Sequence, residues 1–135
     1  MPLMVKVPGG TPKGRQCTGV VNLIDMYPTL IDLCGLPANP ENEGRSFAKL
    51  LQNPDMEWNI PTLTDYNYAG HRIYDGRYSY TVFREKGTEE LYDHQKDPME
   101  WNNLANNPEY ARIKERLKAL VPTEIEPESP RNEQD

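Results

Sequence analysis

Leu3, Val5 and Val7 alternate with Met4 and Lys6 and run into Pro8-Gly9-Gly10-Thr11-Pro12, a pattern that predicts a short strand followed by a loop. A strand this short cannot pair its own backbone groups, so it is expected to belong to a sheet completed by other sequence. From Thr18 to Leu36 the period changes. Leu23, Tyr27, Leu30, Ile31 and Cys34 recur at three- and four-residue steps, which predicts a helix. Asp25 stands where an N-cap receives backbone N–H groups, Pro28 is tolerated in a first turn, and Gly35 takes the left-handed position before Pro37. Asn39 to Gly44 is loop, after which Ser46 caps a short helix over Phe47, Leu50 and Leu51.

Thr62 to Asp93 predicts an antiparallel sheet, with strands at Thr62–Asn67, Arg72–Tyr74, Tyr78–Phe83 and Glu90–Tyr92. Asp75-Gly76 is the signature of a type I′ hairpin turn, which needs positive φ at both central residues. Tyr78, Tyr80 and Val82 fall on one face, Ser79, Thr81 and Phe83 on the other. Glu85-Lys86-Gly87-Thr88 closes the next hairpin. Asn107 and Pro108 open a last helix with Ile113, Leu117, Leu120 and Val121 at amphipathic spacing, ending before Pro122. The expected class is an α/β (α+β) fragment in three parts: 1–53, 54–121 with the sheet and its packing helix, and an acidic tail over 122–135.

Composition changes this picture in two ways. With 36% hydrophobic residues, 13 prolines among 135 residues and a mean hydropathy of -0.83, the core is thin, as expected if apolar surface faces sequence outside this chain. The net charge of -6 argues against a nucleic-acid or anionic-membrane partner, which would need clustered cations. Much of that charge is local. From Pro122 to Asp135 five acids stand against one base, and the segment is expected to be disordered. No stretch approaches the roughly 20 apolar residues of a membrane span, and no signal peptide is visible. Cys17 and Cys34 have neither zinc nor disulfide-framework spacing and are read as buried or half-buried thiols.

Several segments, in this order, resemble the end of the type I sulfatases, the formylglycine enzymes of the alkaline phosphatase superfamily. They are Pro2-Leu3-Met4-Val5-Lys6-Val7-Pro8-Gly9; Val21-Asn22-Leu23-Ile24-Asp25-Met26-Tyr27-Pro28-Thr29-Leu30-Ile31-Asp32-Leu33-Cys34-Gly35-Leu36-Pro37; and Glu43-Gly44-Arg45-Ser46-Phe47. Gly70-His71-Arg72 then precedes Tyr78-Ser79-Tyr80, followed by Glu90-Leu91-Tyr92-Asp93 and Lys96-Asp97-Pro98-Met99-Glu100-Trp101-Asn102-Asn103-Leu104. The resemblance is strongest to the bacterial iduronate-2-sulfatase-like and arylsulfatase branches. It implies that residues 1–53 supply the last strand and helix of a large α/β domain and that the four-stranded sheet walls the substrate pocket. It further implies a sulfuric ester hydrolase acting on sulfated carbohydrate or aryl sulfate esters, in a family whose members are usually exported.

The same resemblance implies that the chemistry lies elsewhere. The family's nucleophile is a formylglycine made from a Cys-x-Pro-x-Arg motif beside a calcium ion. Here Cys34-Gly35-Leu36-Pro37 puts proline one place late and lacks the arginine, and Cys17-Thr18-Gly19 has no proline. No catalytic residue, metal ligand or cofactor is therefore assigned to this chain. The alternatives are a non-catalytic module from a truncated reading frame that binds a glycan or a protein, and a fragment of a related phosphodiesterase or phosphonate hydrolase. Self-association through exposed core surface is also expected.

Candidate substrate contacts are His71, Arg72 and Tyr74, at the start of a predicted strand behind a glycine that allows close approach. The competing reading is a solvated strand end, and the family usually has Arg where Tyr74 stands. Asp93-His94 and Asp97 suggest a metal cluster at first sight, but Lys96-Asp97-Pro98 reads as a turn in which Asp caps local backbone. Trp101 reads as a packing anchor and Asn102-Asn103 as loop hydrogen-bonders. Lys13 and Arg15 border an anionic substrate or are simply solvated.

Overall fold

The structure, a computed structural model, describes residues 2–10, 14–66, 70–84 and 86–123. A 3-10 turn, Leu23–Asp25, leads into α1, Met26–Leu33, and α2 follows at Ala48–Gln52. The sheet has strands β1 (Thr62–Asp65), β2 (Gly70–Tyr74), β3 (Tyr78–Phe83) and β4 (Glu89–Asp93), antiparallel throughout and in sequence order. A second 3-10 turn, Pro108–Tyr110, opens α3, Ala111–Lys118.

All four expected strands form, β3 with the expected bounds and the others shifted by one or two residues at one or both ends; Asn67, the expected end of the first, lies outside the described residues. The segment Leu3–Val7 does not form a strand. It has the alternating apolar residues, and the sheet it is expected to join is completed by other sequence. The first helix begins later than Thr18, because Asn22 is the cap: its side chain receives the N–H of Leu23, while the Asp25 carboxylate receives the Asn22 N–H at 2.7 Å. Asp25 stands at the N-cap position of α1 as expected, but its carboxylate receives no N–H of that helix and reaches back to Asn22 instead. It also accepts the Arg45 N–H at 2.9 Å, so one carboxylate ties the turn to the loop before α2. Gly35 ends the helix at φ 64 as expected. Ser46 accepts the Ala48 N–H at 3.2 Å and donates to Asp32 at 2.7 Å.

The hairpin at Asp75-Gly76 forms with positive φ at Gly76 alone, 97°, the sign pattern of type II′ rather than I′. The reason lies in the Asp75 side chain, which receives the N–H groups of Arg77 and Tyr78 at 2.9 and 2.7 Å and holds Asp75 in an Asx turn.

Register aligns Leu63, Ile73, Tyr80 and Leu91 in one row across the sheet. Leu117 of α3 closes on this row, with Ala105, and Tyr80, Leu91 and Leu117 are fully buried. One polar knot fixes α3: Glu89 accepts from Tyr80 Oη at 2.6 Å, Lys114 at 3.1 Å and Lys118 at 2.8 Å. The N-terminal segment is fastened to the sheet by Trp58 Nε1 donating to the Val20 carbonyl at 2.9 Å and Asn22 Nδ2 donating to the Leu63 carbonyl at 2.6 Å.

Candidate functional site

Strand alternation separates the three candidate residues. His71 shares the helix-facing side with Ile73, while Arg72 and Tyr74 point to the other face. The sequence placed them together as neighbours, and a strand turns neighbours to opposite sides.

His71 is not a solvated strand end. It is 5% exposed, and its Nε2 stands 2.5 Å from Arg84 Nη2. A guanidinium has no lone pair to give, so Nε2 accepts and the ring proton sits on Nδ1. That Nδ1 lies 3.5 Å from the Asp65 carboxylate, too long for a good hydrogen bond, and it has no hydrogen-bond partner among the described residues. Gly70, immediately before it, has φ 151, and a Cβ there would stand 2.0 Å from the Val82 carbonyl oxygen. Only glycine lets β2 enter the sheet against β3 at this point.

On the other face, Arg72 Nη2 donates to Glu100 Oε1 at 2.8 Å, and His94 Nε2 meets the same oxygen at 2.7 Å. The His94 ring lies 5.1 Å from that of Tyr74, tilted by 39°. Glu100 thus joins β2 to the turn after β4. It does so at φ 55, the single positive value at a non-glycine among the described residues, a conformation that costs about 1–3 kcal/mol and persists only where the surroundings hold it. The hold is visible: the Glu100 N–H donates to the Asp97 carbonyl at 3.2 Å, and the Asn102 N–H donates to the Asp97 carboxylate at 2.7 Å. That backbone N–H of Asn102 keeps the Asp97 carboxyl below the usual carboxylate range. Arg72 Nε and Ser79 Oγ, the latter opposite Tyr74 in the register, are buried without a hydrogen-bond partner among the described residues.

His94 and Glu100 belong to this group, and the sequence reading did not place them there. A carboxylate that reaches back from a turn to a strand 28 residues earlier leaves no periodic signal. Trp101 is not a packing anchor: it is 80% exposed, because the reversal at Glu100 turns it outward. Asn103 does hold the loop, with its side chain accepting the Leu91 and Ala105 N–H groups at 3.1 and 2.9 Å. Cys17 and Cys34 are exposed thiols, not buried ones. Cys34 sits at the C-cap of α1, where its N–H donates to the Leu30 carbonyl at 3.0 Å. Arg15 pairs with Asp55, and Lys13 lies outside the described residues.

The Asp93-His94-Asp97 turn holds no metal-type cluster. Asp93 is fully buried and accepts from Arg77 Nε and Nη2 at 2.9 and 2.8 Å, an ion pair that holds its carboxyl below the ordinary range. Among the described residues no group of three His, Cys, Asp or Glu fits a metal ion, so the calcium that the family resemblance implies finds no donor set here. Nor is any helix of the described residues long and apolar enough to cross a membrane.

A cleft of about 570 Å³ separates the N-terminal segment from the sheet edge. Ile24, Leu63, Ile73 and Leu120 line its apolar part, with Asp65 and Arg45 among its polar residues.

The sequence model of the family "N-sulphoglucosamine sulphohydrolase, C-terminal" matches residues 1–126. A sulfatase of Formosa agariphila is 38% identical over 111 residues, covering 82% of this chain and 22% of its own length. A Δ4,5-hexuronate-2-O-sulfatase of Bacteroides thetaiotaomicron is 36% identical over 106 residues, covering 73% of this chain and 22% of its own. Among solved structures, the phosphonate monoester hydrolase of Agrobacterium radiobacter superposes with a TM-score of 0.58 at 25% identity, over 70% of this chain and 23% of that one. The chain therefore spans about a fifth of the length of the relatives it matches. By its sequence and by its four-stranded sheet with a packing helix, the chain belongs to the family of N-sulphoglucosamine sulphohydrolase C-terminal regions, the C-terminal segment of the sulfatases.

Proposed function

We propose that this chain is the C-terminal part of a sulfuric ester hydrolase that acts on sulfated carbohydrate, and that it supplies a wall of the substrate pocket rather than the reacting groups. The observation that carries the reading is identity of 36–38% over most of the chain to sulfatases, one of them a hexuronate 2-O-sulfatase. The phosphonate hydrolase shares the fold at lower identity, so the backbone alone does not distinguish the two ester classes, and the sequence favours the sulfate ester.

Sulfate ester cleavage needs a strong nucleophile, a cation to polarise it and donors for the sulfate oxygens. In this sequence no Cys-x-Pro-x-Arg motif provides the first. What the chain's own residues do is bind and orient. Arg72, with one edge of its guanidinium fixed by Glu100, and Tyr74, steadied by His94 and by its hydroxyl donating to the Gly76 carbonyl at 2.9 Å, form a preset polar surface for sugar oxygens. His71 acts from behind, on the helix side, where it and Arg84 shape the entry of β2.

The test uses two proteins. The 135-residue chain alone releases no sulfate from 4-nitrophenyl sulfate, and metal-dependent turnover would show that it holds a nucleophile after all. In a chimera where this chain replaces the matching C-terminal 22% of the Formosa agariphila sulfatase, Arg72→Ala raises KM for a sulfated disaccharide about tenfold with kcat little changed. An unchanged KM would remove Arg72 from the wall.

A further inference from the structure

Asp75-Gly76 is the one Asp-Gly pair in the sequence, and it sits at the tip of the β2–β3 hairpin with Gly76 exposed. The pair carries a chemistry of its own. A glycine amide nitrogen, with no side chain beside it, can attack the carboxyl carbon of the preceding aspartate and close a five-membered imide. The bond from Gly76 N to Asp75 Cγ forms, the Cγ–OH bond of the protonated carboxyl breaks, and the amide proton leaves with the hydroxyl as water. Water then opens the ring at the Asp75 main-chain carbonyl. That breaks the original peptide bond and leaves the chain running through Cγ as isoaspartate, with water the only co-reactant.

The folded chain holds the groups that ring closure must move. Asp75 Oδ1 accepts the N–H groups of Arg77 and Tyr78 at 2.9 and 2.7 Å, and Oδ2 accepts from Arg116 Nη2 of α3 at 2.5 Å. To present Cγ to the Gly76 nitrogen, the carboxyl must swing away from these donors. Closure also needs the protonated acid, because the leaving oxygen departs as water. Burial alone would raise the Asp75 carboxyl, but the Arg116 hydrogen bond and the Tyr78 and Arg77 N–H groups outweigh it and hold the group below the usual carboxylate range. Two of the three bonds belong to the hairpin itself. The third comes from a helix 41 residues away, so the state of the pair depends on α3 being docked.

We infer that Asp75-Gly76 is a latent isoaspartate site and that Arg116 is the residue by which α3 keeps it closed. The inference stands apart from the sulfatase reading. Its consequence falls on the hairpin, where the Tyr74 hydroxyl donates to the Gly76 carbonyl at 2.9 Å and the Asp75 N–H donates to the Tyr78 carbonyl at 3.2 Å. Isoaspartate adds a main-chain carbon between Tyr74 and Gly76, and neither bond survives that change of length. Isomerisation at the tip thus frees Tyr74.

The experiment ages the 135-residue chain at neutral pH and counts isoaspartate at position 75 by proteolysis and electron-transfer fragmentation. The folded chain isomerises at least about tenfold more slowly than the same chain unfolded in urea, since the carboxyl is released from its bonds only there. Arg116→Ala speeds the folded chain about threefold, the factor that a half-exposed ion pair supports, and Arg116→Lys, which keeps the charge, recovers part of it. Sodium chloride at about 1 M screens the pair, so it speeds the unaltered chain and leaves Arg116→Ala unchanged. General loosening of α3 would not give that salt pattern, and the salt series on the unaltered chain decides the matter even if the alanine variant does not fold. A folded rate equal to the rate in urea, a folded Arg116→Ala no faster than the unaltered chain, or an unaltered chain indifferent to salt would each overturn it.

Discussion

Glu89 stands where β4 meets α3 and receives three hydrogen bonds, from Lys118, Tyr80 and Lys114. The Lys118 bond first, then Tyr80, pulls its carboxyl from the ordinary 4.5 to about 2, while burial and this same bond push the Tyr80 phenol up. A carboxyl depressed on folding stabilises the fold above its unfolded pKa, and that contribution is lost as pH falls from 4.5 toward 2. Urea midpoints should therefore drop across that window. In Glu89→Gln the drop should shrink, with about 1–2 kcal/mol lost at neutral pH after solvent screening. A second residue-scale prediction concerns Asp93, which is buried against Arg77. Asp93→Ala leaves the guanidinium and the Gln95 N–H without their acceptor and should cost about 2–3 kcal/mol in the same measurement. At this scale the sequence was least legible. The reading placed His71 and Arg72 in one contact surface, whereas period-2 alternation, visible in the same residues, already assigned them to opposite faces. The partners of Glu100 and Asp93 come from 28 and 16 residues away, and no local pattern announces such pairs.

Among the elements, β2 depends on a glycine. Gly70→Ala puts a methyl 2.0 Å from a carbonyl oxygen of β3 at a φ that side chains rarely adopt, so at least about 3 kcal/mol should be lost and amide exchange at the start of β2 should accelerate. On the N-terminal side, Thr29 Oγ1 donates to the Asp25 carbonyl at 2.6 Å and accepts the Phe47 N–H at 3.0 Å, joining α1 to α2. Thr29→Val keeps the shape and removes both bonds, with an expected cost of about 1–3 kcal/mol in the urea midpoint. Element identity was legible wherever the signal is carried by one segment: the β-hairpins from alternation and Gly76, α3 from Asn107-Pro108 and its apolar stripe. At Leu3–Val7 apolar alternation is present without a strand, since the sheet expected there is completed by other sequence. The start of the first helix shifted because Asn22 outcompetes Asp25 as the cap, with Asp25 completing the box three residues on.

On the scale of the whole molecule, apolar surface is distributed unevenly. Leu23, Tyr27 and Leu30 follow each other along one stripe of the first helix and are 60, 55 and 55% exposed, while the sheet and α3 close a complete small core. A stripe of this kind should associate, so the molar mass of the 135-residue chain by light scattering should rise with concentration, and Leu30→Glu should hold it at the monomer value. The reading of a thin, incompletely covered core anticipated this unevenness, including exposed apolar surface on the face of the Tyr27 helix. The central claim is that this chain serves as the C-terminal region of a sulfatase. The direct measurement is sulfate release from a 2-O-sulfated unsaturated uronate disaccharide by a chimera in which this chain replaces the matching region of the Bacteroides thetaiotaomicron Δ4,5-hexuronate-2-O-sulfatase, set against that sulfatase lacking the region. Turnover restored well above the truncated enzyme is the predicted result, and a chimera that folds and binds its metal yet releases no more sulfate than the truncated enzyme would contradict it.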